Sequence, residues 1–523
     1  MNPHTFTALS LLSSLAISSV EAAEKPNVIF IMADDLGYGD TGCYGATLIS
    51  TPNIDKLAEQ GRRFTDAHSA SAVSTPSRYS MLTGEYPFRG DDGRSETGGI
   101  WGPLKRESFC LIRPNTQTVA SMMQEQGYKT ACIGKWHLGF GDEEGTNWNE
   151  ELGRGANEAG FDYYFGLPFV SSAPPYVLVR NNRVLGLDPN DPILPIKKGE
   201  TPVSTPIYVE KSNNIYKGGQ AAHDLYKDDE LGELFVEDAK KWINENKDTP
   251  FFVYFASPHI HHPFTPNERF KGSSKCGVYG DFIQEFDWMV GELMKGLEDA
   301  GIADNTLIIL TSDNGAMFNM GGQDAWDAGH KINGDLLGFK FDVWEGGHRV
   351  PYIASWKGHI EEGTVSDQVI SNIDLFATLA AITGYKLKDG EAPDSYNVLN
   401  AFTGKASQKK MVRDHLLLSS YRQTHQSLRM GDWIYIPKQG GGGWSGGKRG
   451  AHIFGGAKAI TYSGHENSDI VDGKIRDGAP SAQLYNIATD PGQTKNVVDE
   501  NPKIVAKMVA KLEEIHSSQK TRK

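Results

Sequence analysis

Four apolar runs separated by amphipathic stretches constrain this chain more than any other feature. They read NVIFIM (27–32), KTACIG (129–134), PFFVYFA (250–256) and NTLIILTS (305–312). Each is a near-continuous apolar run, so each predicts a strand buried on both faces. Helical patterns lie around them. STPNIDKLAEQG has Thr51 as N-cap, Pro52 at the first helical position and Gly61 past the end. NTQTVASMMQEQG closes on Gly127, and Ile283, Phe286, Val290, Leu293, Met294 and Leu297 recur at helical spacing. Strands alternating with helices predict an α/β fold with a parallel sheet covered on both faces.

The character of the chain shifts near residue 410. DWIYIP (432–437) reads as a strand able to pair antiparallel, and AQLYNIATDPGQ as a strand and turn. The last helix places Ile504, Val505, Met508, Val509, Leu512 and Ile515 on one face. A chain of 523 residues exceeds one compact core. We therefore expect a large domain over 23–410 and a smaller α/β domain over 411–523. Between their elements lies QGGGGWSGGKRG (439–450). It nearly matches a phosphate loop, but Arg449 stands where Ser or Thr would bind magnesium, so it reads as a flexible surface loop.

Residues 1–22 read as a signal peptide: an apolar run ends at Val20-Glu21-Ala22, an A-x-A-like cleavage pattern, although no Lys or Arg precedes the run. The run is short and serine-rich, which argues against membrane insertion and for a periplasmic or secreted protein. The net charge of −14 argues against nucleic acid as a partner, and an anionic substrate would need a local basic site. Cys43, Cys110, Cys132 and Cys276 fit no zinc spacing and leave two readings, disulfides or free thiols.

In an open parallel sheet, ligands bind beyond the carboxyl ends of the strands. The first apolar run is followed by Asp34 and Asp35, the second by Lys135 and His137, the third by His259, His261 and His262, and the fourth by Asp313 and Asn314. One such cluster is an ordinary turn; four at the same end, with both signs of charge, are a site. The oxygen ligands without thiolate suit a hard divalent cation, Ca²⁺ or Mg²⁺. Cations and histidines beside such a metal suit a tetrahedral oxyanion ester, sulfate or phosphate.

These residues fall within longer blocks. STPSRYSMLTGEYP, with a short helix expected over 77–83, resembles the Cys/Ser-x-Pro-x-Arg signature of the type I, formylglycine-dependent sulfatases. ADDLGYGD, GKWHLG, SPHIHHPF, SDNG, GFKFDVWEGGHRVP and LYNIATDPGQTKNV resemble the other blocks of that family, in family order, over roughly residues 26–515. The resemblance implies an alkaline-phosphatase-like fold: a large mixed, mostly parallel sheet sandwiched by helices, with a smaller C-terminal domain carrying an antiparallel sheet. It implies an arylsulfatase-like sulfuric ester hydrolase in which Ser74 is oxidised to formylglycine by a radical-type maturation enzyme. Asp34, Asp35, Asp313, Asn314 and residue 74 would bind one calcium ion. Arg78 would steady the nucleophile, Lys135 and Lys340 would bind sulfate, and His137 would deprotonate the second hydroxyl. His261 would protonate the leaving alcohol, and His259 could line the same pocket. A phosphate or phosphonate monoester hydrolase of the same superfamily and a non-catalytic sulfoglycan-binding protein are the alternatives.

Export together with this resemblance implies a sulfated glycan as substrate. Its alcohol would be read by variable loops, for which 89–103, 323–333 and 421–429 are candidates, with Trp326 or Trp344 to stack on a sugar ring.

Overall fold

The computed structural model describes residues 25–205, 214–319, 321–406, 410–444 and 454–522. The signal-peptide reading of 1–22 lies outside them, as do residues 445–453, which include the second half of the glycine-rich segment.

Among the described residues the large sheet has ten strands: β1 (Asn27–Ala33), β2 (Arg62–Phe64), β3 (Lys129–Lys135), β4 (Tyr163–Leu167), β5 (Val179–Arg180), β6 (Arg183–Val184), β7 (Phe251–Ala256), β8 (Thr306–Ser312), β9 (Tyr352–Ser355) and β10 (Thr364–Ser366). Their order is β10-β2-β9-β8-β1-β7-β3-β4-β5-β6. The four apolar runs form the centre of the sheet as β8, β1, β7 and β3, all parallel. β9 runs antiparallel to β8 and β2, and β5 and β6 close the far edge as an antiparallel hairpin.

Alternation along the central strands sorts their side chains to two faces. Val28, Phe30 and Met32 pack with Tyr254 and Cys132 against α2 (Ser74–Thr83), α3 (Val119–Glu125) and α6 (Leu375–Thr383). Ile29 and Ile31 pack with Val253, Phe255 and Ile133 against α1 (Pro52–Glu59), α4 (Leu231–Asn246) and α5 (Val278–Asp299). Full burial of each such side chain contributes about 1.5–3 kcal/mol, which is why the middles of these runs are apolar and their polar residues stand at the ends. The expected helix over 77–83 begins earlier, at Ser74. Pro76 is tolerated there because its missing N–H falls among the first-turn groups that have no intrahelical partner.

The antiparallel sheet expected beyond 410 consists of β11 (Leu416–Ser419), β12 (Gln426–Met430), β13 (Trp433–Ile436) and β14 (Gln483–Asn486). One face, with Leu428, Tyr435 and Leu484, takes Met508 and Ile515 of α7 (Pro502–Ser517). The other face sends Ile434, Ile436 and Tyr485 into the core that holds Trp344 and α5. The small sheet is thus continuous in packing with the large one. All four cysteines are free, so of the two readings the disulfides are set aside. No helix among the described residues is long and apolar enough to cross a membrane.

Candidate functional site

The parallel register of β8, β1, β7 and β3 brings four polar clusters to one edge. Asp34 and Asp35 leave β1, and Asp313 and Asn314 leave β8 beside them. Ligand atoms of Asp34, Asp35 and Asp313 lie within 4.8 Å of one another, all buried. Asp35 reaches this position with φ +67°, and its N–H donates to Asp313 Oδ1 at 3.2 Å. The Asn314 amide donates to Asp35 Oδ1 at 2.7 Å. Ser74 opens α2 above this group, with Oγ 3.3 Å from both Asp34 Oδ1 and Asn314 Oδ1.

Three cations compensate the three carboxylates. Arg78 lies one helical turn after Ser74 and donates through Nε and Nη2 to Asp313 Oδ2, at 3.0 and 2.7 Å. Its Nη1 donates to the Tyr254 hydroxyl at 2.9 Å. Lys135, at the end of β3, donates to Asp34 Oδ2 at 2.6 Å, and Lys340 to Asp35 Oδ1 at 2.5 Å. Burial raises the Asp34 pKa, but Lys135, Arg78 and Lys340 outweigh it and hold the carboxyl below its usual range. Burial, aided by Asp34 and Asp313 against Lys340, pushes Asp35 up to about 6. Asp35 Oδ2 is buried with no hydrogen-bond partner among the described residues. An orphaned carboxylate oxygen in an all-oxygen donor set fits a hard divalent cation, as the sequence implied, and does not suit zinc.

The histidines divide by where they point. His137 follows Lys135 with φ +57°. Its Nδ1 lies 3.5 Å from Thr75 Oγ1, while its buried Nε2 has no hydrogen-bond partner among the described residues. His261 Nδ1 pairs with the His262 carbonyl at 2.6 Å, which leaves Nε2 free to act, 3.9 Å from Asp35 Oδ2. Burial holds both rings neutral, reinforced by Lys135 and Arg78 at His137 and by Lys340 at His261. His262 stacks on His261 as a wall residue, with ring centroids 4.4 Å apart. His259 turns instead to the helix layer: it pairs with Ser257 at 3.3 Å, faces Glu285 at 3.4 Å and packs tilted against Phe282 of α5. Its backbone still serves the site, because Asp34 N–H donates to the His259 carbonyl at 2.6 Å.

Of the three variable loops, two meet. Gln423 donates to Thr97 at 2.6 Å, which joins 421–429 to 89–103. The third, 323–333, packs elsewhere: His330 pairs with Asp40 at 2.8 Å, and Trp326 lies among Phe318, Phe339 and His465. Trp344 is 1% exposed, with its indole N–H donated to Gln483. Trp344 fills core that the small sheet helps to build, and Trp326 is half-buried against that core. The glycine-rich stretch is also not free where it is described, since Gly441 accepts from the Val343 N–H at 2.7 Å.

Sequence reasoning missed Tyr254, whose hydroxyl holds Arg78 from the middle strand β7; it sits in an apolar run with no local signal. It also missed a buried brace of His68, Glu345 and His348. There His68 pairs with Asp66 at 2.7 Å and with His348 at 3.1 Å. The brace ties the segment before Ser74 to the segment after Lys340.

A family model described as Sulfatase matches residues 26–385. The chain is 36% identical over 516 residues to an N-acetylgalactosamine-6-O-sulfatase of Bacteroides thetaiotaomicron, covering 94% of this chain and 93% of that protein. It is 32% identical over 429 residues to a steryl-sulfatase of Rattus norvegicus, covering 75% and 73%. A solved structure described under the metabolism of multiple glycosaminoglycans by Bacteroides thetaiotaomicron superposes with a TM-score of 0.81. It is 34% identical and covers 94% of this chain and all of that one.

Proposed function

The chain belongs to the sulfatase family, an enzyme family of sulfate ester hydrolases, and from that premise we propose that it removes sulfate from a sulfated carbohydrate, using one calcium ion and a formylglycine made from Ser74. The phosphate-ester and non-catalytic alternatives give way to the family match. N-acetylgalactosamine 6-sulfate is the first substrate to test, on the strength of the relative matched along almost the whole chain.

One observation carries this reading. Ser74 sits in the first turn of α2 with its oxygen against Asp34 and Asn314, while Lys135 donates to Asp34 and Lys340 to Asp35. Asp34, Asp35, Asp313 and Asn314 would hold calcium together with residue 74. When present, the calcium and the formylglycine hydrate supply a polarised hydroxyl nucleophile and a second hydroxyl for product release.

The chain's own side chains do the rest. Lys135 and Lys340 exchange a carboxylate for sulfate oxygens and stabilise the charge that builds there. His261 Nε2 gives a proton to the leaving alcohol; bound sulfate beside it favours the protonated ring that burial and Lys340 otherwise oppose. His137, held neutral with a free Nε2, is suited to accept a proton in the release step. Arg78, locked by Asp313 and Tyr254, keeps a fixed positive charge under residue 74. Maturation requires a radical-type partner enzyme, because residue 74 is serine. Export to the periplasm or beyond rests on the sequence of residues 1–22, and the catalytic and C-terminal domains are assigned to 23–410 and 411–523.

The test is a panel of 6-sulfated, 4-sulfated and phosphorylated sugars, offered to enzyme co-produced with such a maturation partner, with released anion quantified. Release of sulfate from a 6-sulfated N-acetylgalactosamine supports the proposal. Faster release of phosphate, or release only from non-carbohydrate sulfates, contradicts it.

A further inference from the structure

We propose that Trp444, whose indole lies nearly parallel to the rings of Tyr421 and Phe454 and is partly open to water, is the platform on which the sugar ring of the sulfate ester lies. The inference deepens the glycan-sulfatase reading and rests on it.

The first argument is position. Phe341 follows Lys340 and Val73 precedes Ser74, and the two pack in one small apolar cluster with Met317, Tyr421 and Phe454. The Lys340 ammonium lies 5.4 Å from the Phe341 ring centroid, and Phe341 lies 6.3 Å from Trp444. One aromatic ring therefore separates the sulfate-binding lysine from the indole. Trp444 is nearly parallel to Tyr421 (11°, 6.2 Å) and to Phe454 (13°, 4.8 Å). The group forms a layered aromatic wall next to Lys340.

The second argument is exposure. Trp444 is 43% exposed. Among the described residues the other large exposed aromatic is Tyr462, whose hydroxyl bonds Asp327. An indole left in water next to an active site is informative in a way that a scattered surface leucine is not.

The third argument is that the wall is built and held. Asp342, two residues after Lys340, is fully buried and accepts the Gly456 N–H through both oxygens at 3.0 Å. The glycine run wraps this carboxylate. A Cβ at Gly441 or Gly443 would come within 2.5 or 2.3 Å of Asp342 Oδ1. Gly442 has φ +71°, and a Cβ there would come within 2.4 Å of His425. These glycines serve close approach, so the support that positions Lys340 also positions Trp444.

The chemistry then selects the occupant. A pyranose presents an apolar C–H face, and its weakly positive hydrogens suit the negative face of an indole. Desolvating both surfaces adds apolar burial. Polar groups for the sugar hydroxyls stand at the edge: Gln423 and Thr97 join the two variable loops, and Arg94 flanks Tyr421 across Gly102. A steroid or aryl alcohol would not need that polar edge.

The test uses full-length protein in a Ser74→Ala background, so that maturation does not enter, with binding read by calorimetry. The probes are a 6-sulfated N-acetylgalactosamine disaccharide and inorganic sulfate. Trp444→Ala weakens the disaccharide by about tenfold, a loss of about 1.4 kcal/mol, and leaves sulfate within about twofold. Trp444→Tyr recovers most of the loss. In matured enzyme, Trp444→Ala raises KM for the disaccharide by a similar factor, while the inhibition constant of inorganic sulfate holds. Equal weakening of both probes makes Trp444 a structural support and overturns the platform. Unchanged disaccharide binding overturns it too, while sulfate release from sugars by the parent leaves the glycan-sulfatase reading standing. If the parent binds and hydrolyses no sulfated sugar, both fall.

Discussion

The floor and the rim of this pocket are made in different ways. The floor is a set of carboxylates, lysines and histidines fixed by the ends of four parallel strands and the first turn of one helix. Every charge in it has an opposite partner within hydrogen-bond reach, and almost none is exposed. The rim is aromatic and is carried by loops, with one ring left open to water. The floor can recognise only a small oxyanion and a cation, which every substrate of this chemistry shares. On the proposed reading, the rim is where substrates would differ. Relatives that act on a sugar sulfate and on a steryl sulfate, by their names, match this chain at similar identity, as expected if selection of the alcohol lies outside the floor.

Substitutions separate the two regions. The largest effect falls on the floor: Lys135→Ala lowers kcat/KM by about 10²–10³-fold on every sulfate ester, because a preorganised charge is lost at the reacting group. Steady-state kinetics on a sugar sulfate and an aryl sulfate check that both fall alike. Next, Arg78→Ala leaves Asp313 buried without its bidentate partner, which destabilises the fold by about 3–5 kcal/mol in denaturant titration. A change under about 1 kcal/mol would mean that the floor is less tightly coupled than its geometry indicates. On the rim, Gly442→Ala strains a left-handed residue against His425 and displaces the loop that carries Trp444. We expect KM for a sulfated sugar to rise about three- to tenfold, on the order of 1 kcal/mol, with kcat little changed. A fall in kcat instead would join rim and floor into one unit.

The last effect is a pH dependence. Burial, against the backbone N–H groups of Gly456, Phe339 and Gly443, pushes the Asp342 carboxyl up to about 7. A carboxyl raised on folding stabilises the protein at acidic pH, and that contribution is lost as pH rises from the unfolded value, about 4, through about 7. Wild type should therefore lose stability relative to Asp342→Asn over this window, by at most about 1.4 kcal/mol per unit. Denaturation of the two proteins at about pH 5, inside that window, and at about pH 8, above it, reads the difference. A gap that does not move with pH would show that the carboxyl is ionised throughout.

The same division explains what the sequence revealed. The central strands were legible because burial on both faces forces continuous apolar runs, and the residues just beyond them were legible because parallel strands share one polar end. Asp34, Lys135, His261 and Asp313 are brought together for that reason. Tyr254 was hidden because its hydroxyl matters only once Arg78 is packed over β7. His259 and His261 are two residues apart in one run, and only the turn decides that one faces the carboxylates and the other faces Glu285. Trp326 and Trp344 were singled out and Trp444 was not, since whether an indole is covered depends on where the small sheet docks. The glycine run read as a loose loop because the carboxylate it wraps, Asp342, lies far earlier in the chain.

The central claim is that residue 74, placed over the buried carboxylates, is the catalytic group after conversion. The direct measurement is mass spectrometry of the tryptic peptide from Phe64 to Arg78, FTDAHSASAVSTPSR, from enzyme made with and without a radical-type maturation partner, alongside sulfate release by the same samples. The account predicts loss of two hydrogens at Ser74, trapping of the aldehyde by hydrazide, and activity proportional to the converted fraction. Full sulfatase activity from protein whose Ser74 is unmodified would contradict it.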